Sequence, residues 1–158
     1  ENPQTALFIA GPEKRAYAGY VPNAIHRLGL TDKVFLLGPV YDLADKFSLL
    51  SSADYFVLTS RFEGFPLTVL ESVAVGTPVV VTEGTNTGPF IRRYELGVVC
   101  DTDVAEITNA LHAAAAQRRQ FADRRDAIAA VAKKFTWERT ARRMIAAYKT
   151  ALGGDKDA

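Results

Sequence analysis

Short apolar runs alternate with longer amphipathic stretches along most of the chain. Ala6–Ala10, Lys33–Leu37, Tyr55–Leu58, Val79–Thr82 and Val98–Cys100 are brief and rich in β-branched or aromatic side chains, the pattern of strands buried on both faces. Between them apolar residues recur at helical spacing, which predicts helices over Tyr17–Leu28, Leu43–Leu50, Leu67–Val75 and Phe90–Arg93. Strand and helix signals that alternate in this way predict an α/β fold, a Rossmann-like parallel sheet sandwiched by helices. Beyond Cys100 the pattern is wholly helical. Ile107, Leu111 and Ala114, then Ile128, Val131 and Phe135, then Ile145, Tyr148 and Leu152 mark three amphipathic faces. Residues 1–152 therefore read as one domain, and the polar run 153–158 as a flexible tail.

Turn residues fall between these elements. Gly11-Pro12 follows the first strand, and Gly76 stops the helix over Leu67–Val75 as a C-terminal glycine should. Thr77-Pro78 then turns the chain into the next strand, and Glu83–Pro89 is a loop rich in Gly and Thr. No repeat or low-complexity linker interrupts the series.

Composition narrows the class. The 158 residues can bury roughly two thirds of their unfolded surface, enough for one core. A net charge of +1 gives no electrostatic case for nucleic acid. No apolar stretch reaches the roughly 20 residues that span a bilayer, and no signal peptide opens the chain, so a cytoplasmic location is the expectation. The single cysteine, Cys100, closes an apolar run and reads as a buried structural thiol. His26 and His112 sit in helical segments without partner spacing, so no metal is expected.

The candidate chemistry lies in Ser60–Glu71. Tyr55–Leu58 reads as the strand before it, Gly64 as the permissive residue of a tight turn, and Pro66 as the first residue of the helix after it, where its missing N–H costs nothing. Glu63 then sits on the loop at the carboxyl end of a parallel strand, and Glu71 about one turn inside the helix. That crevice is where open α/β sheets bind ligands, and the first-turn N–H groups of Leu67 and Thr68 are ready donors to phosphate. Two carboxylates around such a turn suit a polyhydroxylated ligand. They are weighed against the 18 acidic residues of the chain and the helix macrodipole, which an early Glu also complements.

The stretch Glu63-Gly64-Phe65-Pro66-Leu67 through Glu71, continuing to Gly76-Thr77-Pro78-Val79-Val80, resembles the donor-site signature of the group 1, sucrose-synthase-like retaining glycosyltransferases of GT-B architecture. Ala10-Gly11-Pro12-Glu13, Val34–Gly38, Ala53-Asp54, Gly97-Val98-Val99 and Phe135-Thr136-Trp137-Glu138 agree in order along the chain. The resemblance implies the carboxyl-terminal half of that fold, without its first strand and helix. It also implies that the family's cationic phosphate ligands and its acceptor-binding domain lie outside the chain, about two fifths of an enzyme being present. Exposed edges left by the absent strand would favour self-association.

Roles follow by resemblance, residue by residue. Glu63 would meet hydroxyls of the donor sugar and act at the catalytic centre, and Glu71 would accept from the ribose hydroxyls. The N–H groups of Phe65, Leu67 and Thr68 would face sugar and diphosphate. Pro66 replaces the glycine of many members and deletes one such donor. Gly38, Pro39 and Val40 match the nucleobase wall. Arg61 is a weaker phosphate candidate, since an arginine at a strand end is more often solvated or packed on a helix. The Glu83–Pro89 loop, which carries Gly84, Asn86 and Gly88 near the site, departs from the family's Gly-Gly-x-x-Glu, with Phe90 where an acidic residue often stands; a contact to the donor and a plain connection are both open. The implied reaction is metal-independent transfer of a hexosyl unit, with retention, from a UDP-sugar to a glycan or lipid-linked acceptor, GDP- and ADP-sugars remaining open. Peripheral association of the full enzyme with the inner face of the membrane is compatible with such acceptors. A sugar-nucleotide epimerase domain and a non-catalytic nucleotide-sugar-binding module are the alternatives.

Overall fold

The computed structural model describes residues 5–13 and 19–152. The chain divides into two units, Glu1–Lys46 and Phe47–Ala158. In the first, β1 (Leu7–Ala10) and β2 (Val34–Gly38) pair in parallel, with α1 (Tyr20–Arg27) between them in sequence. Their register slips after Ile9, so that Ala10 faces Gly38, and Gly38 takes the left-handed φ of 68° as β2 ends. The rings of Phe8 and Phe35 stack at 5.1 Å. α2 (Leu43–Ser52) starts in this unit and ends in the second.

The second unit holds a parallel sheet of order β3-β4-β5, formed by Phe56–Leu58, Val79–Thr82 and Gly97–Cys100. α3 (Leu67–Ala74) joins β3 to β4. A 3-10 turn at Glu83–Thr85 and α4 (Gly88–Tyr94) join β4 to β5. The helical remainder comprises α5 (Val104–Ala116), α6 (Arg118–Ala122), α7 (Arg125–Ala132) and α8 (Trp137–Ala151).

β4 is the centre of this unit, and its four residues have no exposed surface. Strand alternation divides them between two cores. Val79 and Val81 join Val69, Val73, Ile91, Leu96, Phe121, Ile128 and Val131 on one face, while Val80 meets Cys100, Ala110 and Ala114 on the other. Each buried valine contributes about 1.5–3 kcal/mol. Polar pins lock the layers together. Tyr55 Oη donates to the Ala114 carbonyl at 2.8 Å, tying the residue before β3 to α5. Arg125 of α7 donates to the carbonyls of Ser51 and Ala53 and to Thr77 Oγ1, and Thr77 Oγ1 in turn donates to the Leu50 carbonyl at 2.7 Å. The end of α2, the turn after α3 and the start of α7 thus share one guanidinium. Cys100 is buried, as the sequence suggested, and burial together with nearby Glu106, Asp101, Asp103 and Glu83 pushes its thiol pKa up.

Several expectations need correction. Pro66 is the N-cap of α3, in extended conformation (φ −70°, ψ 115°), and the helix starts one residue later at Leu67. Gly64 needs no left-handed backbone, and a Cβ placed on it would stand in open space. Leu111 is 43% exposed because the sheet approaches α5 closely through the small Ala110 and Ala114 instead. Phe135, Ile145, Tyr148 and Leu152 are likewise exposed, and α8 buries none of its residues. The expectations for Tyr17 and for the tail 153–158 lie outside the described residues.

Candidate functional site

The site is built at the carboxyl end of β3. The loop leaving Leu58 reaches α3 through Pro66, whose fixed φ aims the chain into the helix. No side chain caps α3 among the described residues, so the N–H groups of Leu67 and Thr68 point out of its first turn as the helix dipole requires. Thr68 is exposed, Leu67 is 67% exposed and Phe65 47%, so this turn faces outward.

Glu63 is half-buried and held from several directions. Its Oε1 accepts from Ser60 Oγ at 2.8 Å, its N–H donates to the Gly84 carbonyl at 2.8 Å, and its own carbonyl accepts from Asn86 Nδ2. The Ser60 carbonyl accepts from Thr82 Oγ1 at 2.6 Å. Below these, Thr85 Oγ1 donates to the Thr82 carbonyl and lies 2.7 Å from Thr87 Oγ1, all three threonines being fully buried. The loops after β3 and β4 meet backbone to backbone at Gly84, where a Cβ would collide with the Arg61 and Ser60 carbonyls. Sequence reasoning placed Gly84 and Asn86 in a loop near the site, as a donor contact or a plain connection, but did not find their bonds to Glu63, nor the parts played by Ser60 and the threonines. Their signal is the run Thr82-Glu83-Gly84-Thr85-Asn86-Thr87, dense in short polar side chains that bond neighbouring backbone.

Glu71, in the second turn of α3, has different surroundings. It lines a cavity of about 230 Å³ with Phe47, Leu70, Ala74, Ala132 and Phe135, and its Oε2 is shut off from solvent. Glu63 does not line this cavity. The single β3–α3 connection therefore presents one carboxylate on an outward turn and another among apolar walls. Arg61 is exposed, with its carbonyl against Gly84. Gly38, Pro39 and Val40 belong to the first unit, at and after the end of β2. A second cavity, of about 350 Å³, is bounded by Arg92, Glu95, Gly97, Gln117, Gln120, Phe121 and Arg124, at the amino end of β5, and holds none of the candidate residues. The Arg124–Glu95 pair, at 3.0 Å, is among its walls. Among the described residues no group of His, Cys, Asp and Glu is arranged to hold a metal ion, and no helix is long and apolar enough to cross a membrane.

Comparison with known proteins defines the class. The profile of the family "Glycosyl transferases group 1" matches residues 1–135, and the chain belongs to that family. Among curated relatives, the GDP-mannose:cellobiosyl-diphosphopolyprenol alpha-mannosyltransferase of Xanthomonas oryzae pv. oryzae is 31% identical, over 96% of this chain and 40% of its own length. The D-inositol 3-phosphate glycosyltransferase of Segniliparus rotundus is 31% identical over 97% of this chain and 34% of its own length. Among solved structures, HepE of Anabaena in complex with UDP and glucose superposes with a TM-score of 0.77 at 22% identity, covering 95% of this chain and 41% of HepE. The sucrose-phosphate synthase of Thermosynechococcus elongatus gives 0.75 at 23% identity, with 97% and 40% covered. The fold is thus that of the carboxyl-terminal half of a GT-B glycosyltransferase, and the chain spans about 40% of the length of the first of these relatives.

Proposed function

We propose that the chain is the donor-binding half of a glycosyltransferase that moves a hexosyl unit from a nucleoside-diphosphate sugar to a glycan or lipid-linked acceptor. The observation that carries this reading is the β3–α3 connection, where Glu63, the open N-terminus of α3 and the cavity at Glu71 follow one another within a few residues. Each part suits one part of such a donor. An ionised carboxylate accepts a pair of neighbouring hydroxyls, so Glu63 on the outward turn would grip the sugar and Glu71 the ribose. The N–H groups of Phe65, Leu67 and Thr68 would meet the diphosphate, where the helix dipole favours the negative charge that grows as the phosphate leaves. Arg61 stands on the same loop as a further cation.

Transfer with retention fits this division of labour. A double displacement needs a carboxylate beneath the anomeric carbon, whereas Glu63 is assigned to the sugar hydroxyls. Front-face substitution is therefore the reading adopted, with the leaving phosphate assisting the incoming hydroxyl and no metal required. The acceptor would be bound by a part of the protein other than this chain. For the base, UDP is the expectation from the resemblance. GDP is the second reading, because two relatives at 30–31% identity carry GDP-mannose in their names.

Calorimetry of the full-length protein with UDP and with GDP tests the proposal. One of the two should bind in the micromolar to millimolar range, and Glu71→Ala should weaken it by about 1–3 kcal/mol. Unchanged affinity in a folded Glu71→Ala protein would remove Glu71 from the site, and absence of binding for both nucleotides would overturn the donor-half reading.

A further inference from the structure

The Glu63 turn is held by the loop that follows β4, and this bears on turnover if Glu63 grips the donor sugar, the reading on which the inference rests. Asn86 ends the 3-10 turn in the left-handed conformation, φ 56° and ψ 13°. Asparagine tolerates that conformation better than other residues with a Cβ. With its backbone so turned, the side chain reaches across to the Glu63 carbonyl, while the Gly84 carbonyl takes the Glu63 N–H. Both main-chain polar groups of Glu63 are thus satisfied by one neighbouring loop, and its carboxylate is steadied by Ser60. That loop is itself anchored on the buried Thr82, Thr85 and Thr87.

We propose that Asn86 is a positioning residue, fixing the Glu63 backbone so that its carboxylate is presented to the donor sugar before the sugar arrives. Asn86 Nδ2 is the one side-chain group of this loop that donates to Glu63 itself among the described hydrogen bonds. Preorganisation of this kind acts on the transition state more than on ground-state binding, and a small misplacement of a catalytic group lowers turnover steeply.

The test uses the full-length protein with UDP-glucose and GDP-mannose, reading hydrolysis of each donor without acceptor, and UDP and GDP as binding probes. Asn86→Gly keeps the left-handed backbone and removes the amide, so folding is preserved. Asn86→Asp keeps shape and conformation but turns an acceptor toward the Glu63 carbonyl. Both should lower kcat by about tenfold or more while leaving KM for the donor and Kd for the nucleotide within about twofold. The Asn86→Gly, Glu63→Gln double variant should be no slower than Glu63→Gln, since both changes act through one carboxylate. Wild-type turnover in Asn86→Gly, where Glu63→Gln is impaired, would overturn the positioning role and leave the assignment of Glu63 intact. Full turnover in Glu63→Gln would instead overturn that assignment, and the positioning role with it. Independently of turnover, the Glu63 amide should exchange its hydrogen about tenfold faster in Asn86→Gly, and unchanged exchange would overturn the proposal.

Discussion

At the residue scale, Glu63 and Glu71 illustrate how a single turn gives two carboxylates unlike environments. Glu63 is held by backbone and a serine on an outward loop, whereas Glu71 lines an apolar cavity. Their substitutions should differ accordingly. Glu63→Gln should depress kcat with the sugar nucleotide and leave affinity for the free nucleotide nearly intact, because the nucleotide carries no hexose. Glu71→Gln should weaken both ligands. Kinetics paired with nucleotide binding decide the matter, and an equal loss of nucleotide affinity in the two variants would show the division to be wrong. Tyr55 gives a second prediction at this scale. Burial, with a smaller contribution from Asp54, pushes its pKa up from 10.0 to about 12. Between those values the unfolded chain has lost the proton that the folded chain keeps, so folding stability is fully present below pH 10 and falls as pH rises toward 12. Tyr55→Phe should flatten that fall in urea melts at pH 9 and 11, at the cost of about 1 kcal/mol near neutrality for the lost bond to Ala114.

At the scale of elements, the second unit depends on places where backbones nearly touch. Gly76 ends α3 with φ 80°, and a Cβ there would stand 2.6 Å from the Arg125 carbonyl. Gly76→Ala should therefore destabilise by about 2–4 kcal/mol, the sum of a left-handed penalty and a steric one. A urea midpoint within error of wild type would show that α3 and α7 separate easily. Arg125→Lys tests the latch that joins α2, α3 and α7. Lysine keeps the charge but lacks the planar fork that spans Ser51, Ala53 and Thr77. A loss of about 1–3 kcal/mol is expected in the same measurement.

At the scale of the molecule, the second unit has a closed pair of cores while the first is largely exposed. Phe8 is 53% exposed, Phe35 40%, Leu36 47% and Leu37 44%, on a sheet of two strands among the described residues. Two strands without a covered face are marginal in water, and their edges offer unpaired N–H and C=O groups. The 158-residue chain produced by itself should therefore self-associate at micromolar concentration. Light scattering that shows a monodisperse monomer would count against this.

The sequence by itself determined the order of elements, because strand and helix periodicity are local properties. It also determined the position of the Glu63–Glu71 turn, since the strand, the proline and the helical spacing that frame it are adjacent in the chain. Burial was less local. Leu111 and Ala110 are neighbours in one helix, and only the close approach of β4 and β5 decides that the smaller residue faces the sheet. In the same way α8 has the apolar spacing of a packed helix and buries nothing. The clasp on Glu63 was beyond reach from spacing altogether. It joins residues more than twenty positions apart through backbone carbonyls, which every residue carries and no pattern of side chains marks. Only the tertiary structure, by setting the loops after β3 and β4 side by side on adjacent parallel strands, decided which of those carbonyls would be met.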